Sequence, residues 1–269
     1  MKKKMLRWLL LCMLLCCASC AKAGQMEVMF FNAGKADACL LRTENSTVLI
    51  DTGKNKFGKE IVSWLQANGI SEIDVMFITH FDKDHVGGAD AVLEAVRVHQ
   101  IYEPAYESDS KQYVQYREAL AAAGLNAESL EENIAFELDG VRYVVDVANS
   151  RYYGEDEEND FSLVIGITHG ENSFLMAGDA ENPRLLELLE EGIGAYDVLK
   201  VPHHGREEKA SAAFFAAVKP AYAIITSDED DLEDDSVVYG LRRYGQVYLT
   251  RYGAVRVVSD GQSLLVEQK

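Results

Sequence analysis

The chain has 269 residues, 48% of them hydrophobic, enough to bury a sizeable core within one domain. Its formal net charge is −18, from 44 acidic residues against 26 lysines and arginines. A surface this acidic excludes a broad polyanion-binding face, so nucleic acid could be met only where basic residues are segregated from the acids.

In chain order, Lys2, Lys3, Lys4 and Arg7 lead into an apolar run over residues 8–17 that ends at Ala18 and Ser19. This is the pattern of a secretion signal and is too short to span a bilayer. Cys17-Ala18-Ser19-Cys20 resembles a bacterial lipobox, with Cys where the first position favours Leu. It implies a signal over residues 1–19, a lipid on Cys20, a tether over residues 20–25 and a domain over residues 26–269. The product would be an extracytoplasmic lipoprotein anchored to the bacterial membrane; cleavage near Ala21 or Ala23 would give a secreted protein instead. Removing four cations, with no acid among them, takes the charge from −18 to −22. Of the five cysteines only Cys39 would stay in the fold, so no intramolecular disulfide is expected. In Ala38-Cys39-Leu40-Leu41 it reads as a small buried hydrophobe.

Residues 26–31, 38–42 and 47–50 read as three strands of an antiparallel meander, turned at Asn32-Ala33-Gly34 and Glu44-Asn45-Ser46. A helix ending near Ala67 follows, then a buried strand at 73–78 and a helix over 89–98. Further expectations are a strand at 100–102, a helix over 110–123 stopped by Gly124, and a hairpin of 134–138 with 141–147 about Asp139-Gly140. A second hairpin pairs 161–168 with 173–177 through His169-Gly170. The last hundred residues alternate helix 183–191, strand 196–201, helix 210–218, strand 221–226 and helix 236–244, and strands at 246–250, 254–258 and 264–266 close the chain. The order implies one α/β domain (α+β by some schemes) of two mixed sheets face to face with helices outside. The acidic runs at 155–160 and 228–235 read as solvated loops.

Thr79-His80-Phe81-Asp82-Lys83-Asp84-His85-Val86-Gly87-Gly88 sets two imidazoles and two carboxylates within six residues, between a buried strand and a helix. That donor set suits zinc, manganese or iron, each added carboxylate favouring harder ions. An Asp-rich solvated turn would explain the aspartates and not a histidine at either end. Asp179 ends another buried strand, as do His203 and His204 in Pro202-His203-His204-Gly205. Strand ends are where an α/β sheet exposes polar groups, so the three clusters are expected to converge on one rim. Taken alone, Asp179 could cap the following helix. His99 and His169 read as surface or packing residues.

With these motifs in order, the sequence resembles the metallo-β-lactamase fold superfamily, and within it the branch found as the extracytoplasmic domain of the competence protein ComEC and its stand-alone relatives. The resemblance runs over residues 26–269 and is carried by Asn32-Ala33-Gly34-Lys35-Ala36-Asp37-Ala38, Asp51-Thr52-Gly53, His80-x-Asp82-x-Asp84-His85, Asn159-Asp160-Phe161-Ser162, Gly178-Asp179-Ala180-Glu181 and His203-His204-Gly205. The chain departs from the pattern at Asp82, where the wider superfamily has His, near Asn159, where it lacks a further His, and at Lys35, Ala36 and Arg206. The resemblance implies a four-layer αββα sandwich and two divalent metal ions, zinc or manganese. His80 and Asp82 would hold one, Asp84 and His85 the other, and Asp179 would bridge them. One of His203 and His204 would complete the second site, the other being a candidate proton donor or phosphate contact. Asp84 and His204 are the candidate catalytic side chains, with Asp37, Asp51 and Asn159 supporting the ligands from behind.

Hydrolysis by a metal-bridging hydroxide is the reaction this implies. An anionic phosphodiester, DNA included, is the expected substrate, met by Lys54, Lys56, Lys83, Arg206 and Lys209 near the motifs; no stable protein partner is expected. The alternatives are another ester, such as a lactone or a phosphorylcholine ester, and a surface-binding lipoprotein without turnover.

Overall fold

Strands that are mostly buried on both faces build this molecule in layers. The computed structural model describes residues 24–153 and 158–269. The expected signal, the lipobox and most of the tether lie outside the described residues, as does 155–157 of the first acidic run.

The first half comprises β1 (Met26–Phe30), β2 (Cys39–Arg42), β3 (Thr47–Ile50), α1 (Asn55–Ala67), β4 (Glu72–Phe77), α2 (Ala89–Ala95), β5 (Arg97–Pro104), α3 (Lys111–Ala123) and β6 (Glu128–Leu130). The second comprises β7 (Ile134–Leu138), β8 (Val141–Asp146), β9 (Val164–His169), β10 (Asn172–Met176), α4 (Asn182–Glu190), β11 (Val198–Lys200), α5 (Ser211–Val218), β12 (Tyr222–Ile225), α6 (Asp235–Leu241) and β13 (Gln246–Leu249), then β14 (Val255–Ser259) and β15 (Leu264–Gln268). Among the described residues they form an eight-stranded sheet in the order β15-β14-β1-β2-β3-β4-β5-β6 and a seven-stranded sheet in the order β13-β12-β11-β10-β9-β8-β7. Each sheet is antiparallel in one half, where short turns join strands, and parallel in the other, where helices cross over.

Because side chains alternate faces, Val48, Ile50, Val75 and Phe77 meet Tyr143, Ile165, Ile167, Phe174 and Met176 of the facing sheet in the central core. Leu49, Met76 and Ile78, the alternate positions, turn outward onto Phe57, Ile61 and Leu65 of α1 and Val92 of α2. Leu175, Leu199, Ala223 and Ile225 do the same beneath α4, α5 and α6. The result is the expected four-layer αββα sandwich, with the central parallel strands β3, β11 and β12 buried on both faces.

Four local expectations need correction. The helix expected to reach Val98 stops at Ala95: Val96 is extended (φ −133°) and Val98 lies in β5, as β-branching favours. Strand β6 was not expected; its three residues add on parallel to β5. His169 is the last residue of β9 and not part of the turn; it is buried, and its Nδ1 lies 2.7 Å from Ser259 Oγ, linking the two sheets. The acidic runs are not simply solvated: buried Asp160 accepts from the backbone N–H groups of Glu181 and Arg184 at the start of α4, and Asp231 pairs with Lys35 and Arg206. Cys39 is buried and free, as expected.

The loop after β4 is clamped from two sides. Asp37 N–H donates to Asp84 carbonyl at 3.0 Å and Thr52 N–H to His85 carbonyl at 2.8 Å. Gly87 makes this possible, since a Cβ there would stand 2.2 Å from Lys83 carbonyl oxygen and 2.7 Å from Asn55 N. Gly87→Ala should therefore destabilise the fold by about 1–3 kcal/mol, lowering the melting temperature by roughly 2–4 °C per kcal/mol in scanning calorimetry. An unchanged melting temperature would show that these loops can part freely.

Candidate metal centre

Three imidazoles reach one buried point because each is turned by an oxygen behind it. Asp51, at the end of β3 and in a left-handed conformation (φ +57°), accepts from Thr79 N–H at 2.8 Å and Thr79 Oγ1–H at 2.7 Å. The same Oδ2 lies 2.8 Å from His85 Nδ1. Thr79 Oγ1, its proton already given to Asp51, lies 3.1 Å from His80 Nδ1. His204 Nδ1 lies 3.0 Å from Thr226 carbonyl oxygen. The network thus holds a proton on Nδ1 of each ring and turns each Nε2 inward; His85, kept charged by the aspartates in the metal-free chain, offers its Nε2 lone pair there once that proton is displaced.

Those Nε2 atoms gather around Asp179. His85 Nε2 and His204 Nε2 are 3.4 Å apart, and Asp179 Oδ2 is 3.3 Å from the first and 3.1 Å from the second. Asp84 Oδ2 lies 3.7 Å from His204 Nε2. Tetrahedral bonds of about 2.0–2.1 Å set ligands roughly 3.3–3.4 Å apart, so the spacing fits one ion. His80 lies beside His85 with ring centroids 3.9 Å apart and the rings tilted by 48°, and its Nε2 is a buried nitrogen with no hydrogen-bond partner among the described residues. A second ion between His80, Asp179 and Asp82 would give that nitrogen its partner. Asp37 also lies near two of these histidines, but on their Nδ1 edges, 3.9 Å from His85 and 3.5 Å from His204. It supports the rings from outside.

Electrostatics match the geometry. Burial and the neighbouring His85 hold the His80 imidazole down at about 4, leaving it neutral. Burial would also depress His85, yet Asp179, Asp51 and Asp37 outweigh it and raise its pKa well above the usual value in the metal-free chain. Burial raises Asp179, but His204, His85 and Lys200 together hold it well below the usual carboxylate range. Lys200, buried at the end of β11, pairs with Asp37, donates to Gly178 carbonyl at 2.9 Å and lies 3.4 Å from Asp179 Oδ1. Burial would lower its pKa, but Asp37 and Asp179 raise it, so it remains a cation.

The structure therefore brings together His80, Asp84, His85, Asp179 and His204, with Asp37 and Asp51 behind them. His203 stands apart: its ring centroid is 6.4 Å from that of His204, and its Nδ1 is 3.2 Å from Glu181 Oε1. His203, His204 and Gly205 all have positive φ (+46°, +51° and +80°), so the backbone coils left-handedly and throws the adjacent imidazoles apart. Each non-glycine residue in that state costs about 1–2 kcal/mol, strain typical of functional sites. Asn159 donates to Glu181 Oε1 at 2.8 Å, steering that carboxylate and no histidine of the centre. Asp82 is half-buried and near enough to raise the His80 pKa, but it is not among the side chains that close on the cluster. Sequence reasoning missed Lys200, Thr226 and Ser162. Lys200 left a signal, a single charge in the apolar strand before Pro202-His203-His204; Ser162, whose Oγ accepts from Asp179 N–H at 3.0 Å, left one as the last residue of Asn159-Asp160-Phe161-Ser162, and Thr226 left none.

The fold and the donor set together define a class. The family model of the metallo-beta-lactamase superfamily matches residues 32–226, and the chain belongs to that superfamily of metallohydrolases. Within it the likeness is to ComE/ComEC-type competence proteins. The chain is 29% identical over 206 residues to Recombination protein 2 of Haemophilus influenzae, covering 75% of this chain and 24% of that protein. It is 24% identical over 229 residues to ComE operon protein 3 of Bacillus subtilis, covering 78% of this chain and 29% of that protein. It thus spans about a quarter of the length of the curated relatives it matches. Among solved structures, the metallo-beta-lactamase fold protein YhfI from Bacillus subtilis superposes with a TM-score of 0.58 at 9% identity, over 90% of this chain and 100% of that one, a likeness of fold.

Asp51→Asn keeps a side chain that tolerates the left-handed backbone while removing the anionic acceptor behind His85. It should weaken zinc or manganese binding roughly 10- to 100-fold in titration calorimetry, as such supporting partners do elsewhere. Unchanged affinity would detach Asp51 from metal binding.

Proposed function

We propose that the chain is a metal-dependent hydrolase of phosphodiesters, DNA among them, held at the outer face of the membrane by a lipid on Cys20. The observation that carries the hydrolase reading is the closure of His85 Nε2, His204 Nε2 and Asp179 Oδ2 to within 3.1–3.4 Å of one another. In this reading Asp84, His85 and His204 hold one divalent ion, zinc or manganese, His80 and Asp82 hold the other, and Asp179 faces both. Such a pair supplies a water whose pKa is lowered toward about 7 and a grip on a phosphoryl oxygen.

The chain's own groups do the rest. Asp51, Thr79 and Thr226 keep the three Nε2 lone pairs aimed inward, and Lys200 offsets the Asp37 and Asp179 charges without occupying the open side. Asp84, partly exposed at the mouth, is placed to accept a proton from water beside His204 Nε2. Of the five cations near the motifs, Arg206 is engaged by Asp231 and lies 3.8 Å from Asp234. Lys54, Lys56 and Lys83 line one exposed groove with Asn32, Asn55 and Gln112, against a single acid, Glu60. That segregated patch on an acidic protein supports an anionic substrate arriving along the start of α1. Among the described residues no helix is long and apolar enough to cross a membrane.

A binding module without turnover is the rival, favoured by one observation: Asn159, near where the resemblance implies a further histidine, serves Glu181 instead.

The chain from Gln25 onward, loaded with manganese or zinc, should carry about two ions and hydrolyse bis(p-nitrophenyl) phosphate. Asp84→Ala, His85→Ala and His204→Ala should abolish turnover and lower the metal content by elemental analysis, while His203→Ala should keep the inner ions. Less than one ion after loading, with no turnover, leaves the binding module. For single-stranded DNA, Lys56→Ala and Lys83→Ala should each reduce the slope of log affinity against log salt by about 0.7; an unaltered slope would place the DNA elsewhere.

A further inference from the structure

His203, Glu181 and Glu208 form a second donor cluster on the rim, made of residues that the phosphodiester reading does not use. Glu181 immediately precedes α4, His203 lies in the turn after β11, and Glu208 lies just before α5, so three separate segments present one donor each. Their ligand atoms all lie within 4.8 Å of one another. His203 Nδ1 is 3.2 Å from Glu181 Oε1 and 3.9 Å from Glu208 Oε1.

The details favour shared coordination over a simple ion pair. His203 Nδ1 is shielded from solvent and has no hydrogen-bond partner among the described residues, although a carboxylate oxygen stands 3.2 Å away. The two atoms are close without lying on a common N–H···O line, which is the relation between two ligands of one ion. Glu181 is held in place by Asn159 Nδ2 on its Oε1, and the Glu208 backbone N–H is held by Ser211 Oγ at 2.9 Å. Bonds of about 2.0–2.2 Å allow two donors of one ion to stand up to roughly 4.4 Å apart, so small side-chain shifts would suffice. Two carboxylates and one imidazole form a hard donor set suited to manganese, and the side chains, 21–29% exposed, leave room for water to complete the shell.

We infer that Glu181, His203 and Glu208 form a third divalent-cation site beside the inner centre. The site is more open than the inner one and binds its ion more weakly. An ion there would sit at the rim next to His204 and offer a second positive contact to an anionic substrate or product.

The test is equilibrium dialysis of the chelator-stripped full chain against increasing manganese, with metal per chain read by elemental analysis and folding followed by circular dichroism. The wild-type chain should take up one further, weaker equivalent after the inner ones. Glu208→Gln and Glu181→Gln, both at partly exposed positions, should each lose that equivalent and keep the tight ones. Equal uptake by the wild type and both variants at every manganese concentration would overturn the inference. So would loss of the tight equivalents with the weak one retained. The inner reading fails separately: tight equivalents would then be missing from the wild type, while the two glutamate variants would still lose the weak one.

Discussion

The site depends on burying the carboxylate of Asp179 between two sheets. A bare charge taken from water into such a place costs several kcal/mol, and the cost is met only by opposite charge at close range. Asp179 is 4% exposed and lies against Lys200, His85 and His204. Its neighbours are equally constrained, since Lys200 would be as costly without Asp37 and Asp179. The cluster therefore holds together as a unit, and its open side is where three imidazole lone pairs point. A divalent cation there adds charge of the sign that the surrounding aspartates favour.

The sandwich makes this possible by bringing strand ends from both sheets to one edge. His80 and His85 follow β4, and Asp51 follows β3, in the eight-stranded sheet; Asp179 follows β10, His204 follows β11 and Thr226 follows β12 in the other. All five strands belong to, or border, the parallel halves, which are buried on both faces and hold their ends in register. Glycines serve the same end. Gly178 (φ +52°) leaves no space for a Cβ against Ser162, allowing Asp179 to turn directly from the strand into the cluster. The dry core below keeps the dielectric low and the charges strongly coupled.

Outside the cluster, charge is sorted by folding. Acids at 228–235 curl back over Lys35 and Arg206, taking two cations out of play at one side of the rim. Lysines 54, 56 and 83 remain exposed along a groove near the start of α1. The net charge of −18 therefore says little about the local field at the site.

Much of this was legible in the linear chain, because it depends on local periodicity and on motifs contained in a few residues. Strands of alternating or continuous apolar residues, the Asp139-Gly140 turn, the Gly124 helix stop and the order of the clustered motifs were sufficient for two mixed sheets with helices outside. The same clusters also announced donors for divalent ions. What only the tertiary structure decided concerns pairs far apart in sequence and side chains whose direction hangs on one backbone torsion. His203 and His204 are chemically identical neighbours, and a left-handed coil sends one into the cluster and the other to Glu181. Asp37 meets Lys200, Asn159 meets Glu181 and Arg206 meets Asp231 through contacts that no local pattern encodes. A residue's type and spacing limit its possible chemistry, whereas its partners are set by which strand ends the packed core brings together.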